Sequence, residues 1–229
     1  YKRRARRLKY EQVRLLDEHI EDIRSRLHQH VQSGHRDTWV RALICLIIDR
    51  YYARIGNHAS SKGEKRTYGM VTLNTARHVR VNHEEIVLSY RGKHEQEQRH
   101  ALPVYRTLEG RSQHPTDVVI SDRLMQLIEE DREYLFTRED GKPYTPQMVN
   151  EYFTADAPVP ESNLPEGGAA SPCTVHNIRN YQATRIFREF AAGFAEKHQD
   201  PSYEDVLVAY QGQNETKTRP GITGILDLI

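Results

Sequence analysis

Arg54, at the end of an apolar run, and Lys93, in a Gly-Lys turn, close off the stretch YYARIGNHASSKGEKRTYGMVTLNTARHVRVNHEEIVLSYRGK between Tyr51 and Lys93. The guanidinium is a planar fork of donors that stays charged, and the ammonium is a compact point charge. Held rigidly at a helix end and on a hairpin tip, the two can converge on one anion, and a phosphodiester is the anion that suits both. Further on, His176 and Arg179 follow Thr174 at a spacing that sets them on one face of a helix. These four side chains are the candidates for chemistry.

The elements that must position them follow from periodicity and punctuation. Val13, Leu16, Ile20, Ile23, Leu27 and Val31 recur at helix spacing through Glu11–His30, and Gly34 stops that helix. Asp37 or Thr38 is the expected cap of a second helix, apolar nearly all round, that runs from Trp39 to about Ala53 and forms the buried centre. Arg54 follows at its end, and Gly56-Asn57 permits a close backbone turn. The polar segment His58–Thr67 reads either as a loop facing nucleic acid or as a plain connection. Met70–Leu73, His78–Asn82 and Ile86–Tyr90 are short β-branched or alternating runs separated by turn chemistry, which predicts three antiparallel strands.

After a polar stretch at His94–His100, a helix is expected over Asp117–Tyr134 with Ser121 or Asp122 as a possible cap. Thr145-Pro146 starts another helix that runs through Tyr152. Ala155–Cys173 holds four prolines and two glycines with almost nothing to bury, which reads as a mobile loop. Thr174 then caps the helix that carries His176 and Arg179. The division expected is a basic arm and first helix over 1–34 and a catalytic domain over 35–229.

Composition narrows the partners. The net charge of +1 argues against a uniformly basic nucleic-acid binder but conceals an uneven distribution. Tyr1–Tyr10 carries six basic residues, among them Arg3, Arg4, Arg6 and Arg7, and no acid. Such a run is either a solvated arm or helix start, or a phosphate-contacting segment that releases DNA counterions. Lys62, Lys65 and Arg66 form a second basic group in the polar loop. At 37% hydrophobic residues the chain can build a sizeable core. Its longest apolar run, Ala42–Ile48, is too short to span a bilayer, so a soluble protein is expected, and no signal peptide is visible. The chain does not begin with methionine, which suggests that residues precede Tyr1. Cys45 and Cys173 give no disulfide framework and fit a reducing, intracellular compartment. Twelve histidines invite a metal, yet no pair has zinc-ligand spacing with partners, and His176 stands beside a cation. No metal, cofactor, membrane or small-molecule substrate is expected.

Several motifs in order carry a family resemblance. Arg54-Ile-Gly-Asn57, Tyr68-Gly-Met-Val-Thr-Leu73, His78-Val79, the Gly92-Lys93 turn, Leu135-Phe136, Val149-Asn-Glu-Tyr152 and Thr174-Val-His-Asn-Ile-Arg179 resemble the catalytic domain of type IB DNA topoisomerases over roughly residues 20–190. The related tyrosine recombinases share the catalytic logic, so a site-specific recombinase or integrase is the alternative activity that the resemblance implies. The fold implied is α+β and mainly α, a helical catalytic domain with a small three-stranded antiparallel sheet, as in DNA breaking-rejoining enzymes. The partner implied is double-stranded DNA, to be relaxed without ATP or metal through a covalent 3′-phosphotyrosyl link. By the same resemblance Arg54 and Arg179 would clamp the scissile phosphate and Lys93 would protonate the departing 5′ oxygen. His176 stands where topoisomerases usually show lysine and recombinases histidine, and would assist as donor or proton shuttle. Capping or packing is its plainer alternative.

The nucleophile does not follow. Both families use a tyrosine near the chain end, a few residues beyond a Gly-His or Gly-Asn motif. Here Tyr210-Gln-Gly-Gln213-Asn214 is followed by residues 215–229 without a tyrosine. Gln213 or Asn214 could replace the usual donor to the phosphate. Three explanations compete: a chain cut before the nucleophile, a relative that binds DNA without cutting, and a rearranged site using Tyr210 or Tyr203. Tyr181, in the helix after Arg179, reads as structural.

Overall fold

The computed structural model describes residues 2–62, 64–156, 173–198 and 201–214, with only the backbone for 2–8, 156 and 211–214. Most of the expected loop at 155–173 therefore lies outside the described residues. The chain forms two compact units, one from the described parts of Tyr1–Glu18 and Pro160–Ile229, the other from His19–Val159. The architecture is mainly α with one small antiparallel sheet, as the resemblance implied.

In the larger unit everything is built on helix α2, Arg36–Tyr51. Every residue from Trp39 to Asp49 except Arg41 is buried, because the helix is apolar around its whole circumference. Helix α1, Lys2–Val31, lends its second half to this unit, and Arg24 grips the buried Asp49 carboxylate of α2 through two nitrogens at 2.8 and 3.2 Å. Helix α6, Pro115–Glu129, is bonded to α2 at both ends. Arg36, at the start of α2, forks onto Glu130 beyond the end of α6. Arg50 and the Tyr51 hydroxyl, at the end of α2, reach Asp117 in the first turn of α6 at 3.1 and 2.9 Å. The two helices therefore run antiparallel with charged clasps at each end. Burial, with Asp117 beside it, pushes the Tyr51 phenol far up, so Tyr51 stays a neutral donor. Helix α7, Pro146–Asp156, also packs against α2.

Several local expectations need correction. The cap of α2 is His35, not Asp37 or Thr38; the Asp37 carboxylate instead accepts the Tyr144 hydroxyl. Helix α6 starts at Pro115, whose fixed φ and missing N–H suit a first turn, so Ser121 and Asp122 lie inside it and cap nothing. Three short helices were not anticipated: α3, His58–Lys62, α4, Thr75–His78, and α5, Leu108–Gln113.

The sheet has the order β1-β2-β3 with Val79–Val81, Glu85–Arg91 and Glu97–Pro103. It is three-stranded and antiparallel as expected, but one strand differs. Met70–Leu73 is not a strand. Its residues are buried one after another, not alternately, and Met70–Thr72 close a 3-10 turn in which the Thr72 hydroxyl donates to the Gly69 carbonyl. The third strand is Glu97–Pro103, an edge strand whose solvent face made it read as polar. Ile86, Leu88 and Tyr90 of the central strand β2 point into the core.

In the smaller unit the basic run forms the opening turns of α1, the helix start that was one of its two plain readings. Helix α8, Val175–Ala195, and helix α9, Tyr203–Asn214, pack together through Ala183, Phe187, Val206 and Tyr210. No described helix is long and apolar enough to cross a membrane.

Candidate active site

Arg54 is placed by a sequence of backbone constraints. Helix α2 ends because Tyr52 adopts the left-handed conformation at φ 57°. Ala53 is then buried and Arg54 turns out of the helix. The Arg54 carbonyl accepts the Met70 N–H at 2.8 Å, and the Ile55 carbonyl accepts the Val71 N–H at 2.9 Å. Gly56, at φ +85°, lies directly against Gly69, so near that a Cβ at Gly69 would stand 2.5 Å from the Arg54 carbonyl oxygen and from the Gly56 nitrogen. Two backbones meet here without side chains between them. The Arg54 side chain is half-buried, and among the described residues its guanidinium has no hydrogen-bond or ion-pair partner. Burial lowers its pKa and Tyr90 opposes that, yet an arginine so placed remains a cation near neutral pH. Five donors, partly withdrawn from water and without a partner among the described residues, suit an anion.

Lys93 comes from the turn joining β2 to β3. The Gly92 N–H bonds to the Gln96 carbonyl at 2.8 Å and the Glu95 N–H to the Gly92 carbonyl at 3.1 Å, which fixes a tight tip. His94 and Glu95 both sit at positive φ, 60° and 62°, an uncommon and strained conformation for such residues. Lys93 is exposed and has no partner among the described residues. The same strut serves both cations. Tyr68 donates its N–H to the Arg91 carbonyl at 2.8 Å, just before the tip, while Met70 holds Arg54.

Of the basic loop residues, Lys65 pairs with Glu95 on the hairpin at 3.4 Å, and Arg91 meets the same carboxylate at 3.5 Å. Lys62 and Arg66 are exposed. The side chains of Arg3, Arg4, Arg6 and Arg7 lie outside the described residues. His78, part of the family motif, is a buried structural group: its Nδ1 accepts the Asn74 N–H at 2.9 Å and its ring lies 4.4 Å from that of Tyr68. Burial, with Arg77 and Arg80 nearby, lowers its pKa and favours the neutral ring.

His176 and Arg179 stand on α8 in the smaller unit. Thr174 is its N-cap residue, and the Asn177 Oδ1 accepts from both the Thr174 N–H at 2.7 Å and its hydroxyl at 2.9 Å. The Asn177 amide donates to Gln12 of α1 at 2.9 Å, and the Cys173 thiol approaches the Gln12 carbonyl at 3.6 Å. This buried knot fixes the first turn of α8. One turn of helix then carries His176, exposed, and Arg179, half-buried. The Cys173 thiol is pushed up to about 11 by burial, so it is no nucleophile near neutral pH.

The tyrosines beyond Arg179 are placed for packing. Tyr181 is buried, as its reading as structural anticipated. Tyr210 is 1% exposed, its ring edge-on to Phe187 at 5.3 Å and to Phe190 at 5.1 Å. Its hydroxyl is not offered to a macromolecular substrate. Tyr203 is 45% exposed and touches the same cluster. The side chains of Gln213 and Asn214 lie outside the described residues.

Residues 1–156 match the family described as eukaryotic DNA topoisomerase I, catalytic core. The chain belongs to that family. No curated protein matches it significantly. Membership makes this a DNA-binding topoisomerase domain of the isomerase kind, with a type IB-like part in DNA cleavage and religation. The topoisomerase match takes in Arg54, Tyr68, Lys93 and the sheet, and ends before His176 and Arg179. Sequence reasoning named both cations of the larger unit as candidates but did not single out the buried Tyr90, whose hydroxyl meets the His100 Nε2 at 3.0 Å. Alternation along Ile86, Leu88 and Tyr90 was the available signal, since it sets the Tyr90 phenol on the inner face.

Proposed function

We propose that this topoisomerase domain binds duplex DNA, cleaves one strand with the 3′ end held on a tyrosine, and reseals it after rotation, so that supercoils relax without ATP or metal. The observation that carries the reading is Arg54, a half-buried guanidinium without a hydrogen-bond or ion-pair partner among the described residues and tied by its own backbone to the Gly69 segment. An arginine kept for structure would be satisfied by protein acceptors; one kept for a transferring phosphate is satisfied by substrate oxygens.

In this scheme Arg54 and Arg179 hold non-bridging oxygens of the scissile phosphate, and His176 assists on the same helix turn as Arg179. Gln213 or Asn214 would supply a further phosphate contact. Arg3, Arg4, Arg6, Arg7, Lys62, Lys65 and Arg66 would track the flanking backbone, where each contact adds to the salt dependence of binding. The covalent link conserves the energy of the phosphodiester, which is why no energy cofactor enters. Plasmid relaxation with chelator present is the test. Relaxation that strictly requires magnesium would overturn the reading.

Lys93 is assigned as the acid that protonates the departing 5′ oxygen. DNA covering the hairpin tip would desolvate the ammonium beside other cations and ease release of its proton. Lys93→Ala is expected to slow cleavage of ordinary DNA by about 100-fold, within the usual worth of a positioned acid. A substrate with sulfur at the scissile 5′ position should recover most of that loss, since a thiolate departs without a proton. Equal losses on both substrates would make Lys93 a phosphate anchor.

A second reading is favoured by the packing of Tyr210: a domain that holds DNA without cutting it. Duplex binding with no covalent adduct from the full-length protein would select it.

A further inference from the structure

We propose that Lys65 and Arg91 form a phosphate subsite on the hairpin, which the protein's own Glu95 carboxylate fills and a phosphate of duplex DNA takes over. This rests on the reading of the hairpin as part of the DNA-contacting face.

Three segments of the chain meet at one carboxylate. The Glu95 Oε1 lies 3.4 Å from the Lys65 Nζ and the Oε2 lies 3.5 Å from an Arg91 Nη, so each oxygen faces a different cation. Lys65 belongs to the polar segment after α3, which returns to the sheet where the Tyr68 N–H bonds to the Arg91 carbonyl at 2.8 Å. Arg91 ends β2, and Glu95 closes the turn that carries Lys93. His94 and Glu95 both stand in the left-handed region, at φ 60° and 62°, and the chain there doubles back until the Glu95 side chain reaches Arg91, four residues earlier. Strain of this kind persists only where surrounding contacts over-determine it, and here the turn's backbone bonds and the two cations do so.

The two pairs have the character of contacts made for exchange. Both are longer than the roughly 2.7–2.9 Å of a charge-assisted hydrogen bond. The Lys65 side chain is 82% exposed and the Arg91 side chain 46%, so another anion can reach both. Exposed pairs are weak and are screened by salt, and displacing them costs little. A phosphodiester presents two anionic oxygens as a carboxylate does, and an arginine fork accepts either. Lys93, in the same turn, would share the tip with two further unneutralised cations if Glu95 were absent. Glu95 instead holds Lys65 and Arg91 around one anion, and a phosphate that reaches them must first displace it. The carboxylate therefore preforms the subsite and lowers its affinity at once.

The test is binding of the full chain to a short labelled duplex under non-cleaving conditions, over a series of salt concentrations. Glu95→Gln keeps the side chain's size and removes its charge. It should tighten binding by about 3- to 10-fold at low salt, the combined worth of two exposed pairs, and leave the melting temperature where it was. Glu84→Gln, the same change of charge at an exposed position just before the other end of β2, should tighten it less. Arg91→Ala separates exchange at a site from bulk charge. In the wild-type background it should cost little, because the phosphate contact it removes was already opposed by Glu95. In the Glu95→Gln background it should cost the whole contact and lower the salt slope by about 1. Unequal losses in the two backgrounds are the signature of a shared site. Equal losses overturn the inference, as does equal tightening by Glu95→Gln and Glu84→Gln. Binding that Glu95→Gln leaves unchanged or weakens also overturns it, and a lowered melting temperature with the weakening would make Glu95 a strut. Salt-dependent duplex binding alongside any of these results leaves the functional reading standing. A full chain that binds no duplex overturns both.

Discussion

Arg54→Ala lowers DNA strand cleavage by about 100-fold or more while the affinity for uncleaved duplex falls little. The first half of this expectation follows from where the guanidinium does its work. Charge grows on the non-bridging oxygens as the phosphate passes through its transition state, and a preorganised donor in a partly dry site stabilises that charge more than the ground state. Removing one such donor costs on the order of 100- to 1,000-fold elsewhere. The second half follows because binding energy is spread over many phosphate contacts, of which Arg54 is one. Single-turnover cleavage of a labelled duplex and a titration of the same duplex under non-cleaving conditions measure the two halves separately. If affinity drops in proportion to cleavage, with a matching change in the salt dependence, Arg54 is an anchor and not a catalyst. Arg54→Lys would retain the charge but lose the planar fork, so it should recover only part of the rate.

Gly69→Ala should damage both the fold and the site. The added Cβ would stand 2.5 Å from the Arg54 carbonyl oxygen, 2.5 Å from the Gly56 nitrogen and 2.6 Å from the Gly56 Cα. These are backbone atoms, so no side chain can rotate away, and the strut that carries the Met70 to Arg54 bond must open. Overpacking of this kind costs about 1–3 kcal/mol and occasionally more. Thermal unfolding should therefore register a loss of several degrees, and cleavage should fall at least as far as in Arg54→Ala because the guanidinium is displaced along with its backbone. The contrast between the two variants is diagnostic, since Arg54→Ala removes function without stability. Gly34→Ala, whose Cβ would meet nothing within 4 Å, is the control and should change neither. A Gly69→Ala protein with wild-type melting and cleavage would mean that the two turns are not locked together as described.

Much of the scaffold could be read before any coordinates. The all-round apolar character of α2 announced a buried central helix, and it is one. Gly56-Asn57 marked a turn after Arg54, and Gly92-Lys93 marked the hairpin tip that the sheet register bears out. Thr174 marked the start of α8. These features are local: periodicity, turn chemistry and capping act between residues a few positions apart. The misreadings share a different cause. Met70–Leu73 has strand-like residues, but it is buried on every side, and the Gly69–Thr72 hydrogen bonds bend it into a turn. Glu97–Pro103 is polar because it is an edge strand, and only its pairing with β2 makes it a strand. Asp37 looked like a cap and is spent on Tyr144, a residue distant in the chain.

By itself, then, the sequence determined the long helices and two of the three strands, the residue types able to grip a phosphodiester, and the family to which they belong. Tertiary structure alone decided that Gly56 and Gly69 meet backbone to backbone, that the Arg54 guanidinium is left unpaired among the described residues, that the Tyr90 hydroxyl meets His100, and that Tyr210 is packed away among Phe187 and Phe190. The reason is physical. A residue's type fixes what it can donate or accept, but whether it is satisfied, exposed or pressed against another backbone depends on neighbours that the folded chain brings from far along the sequence.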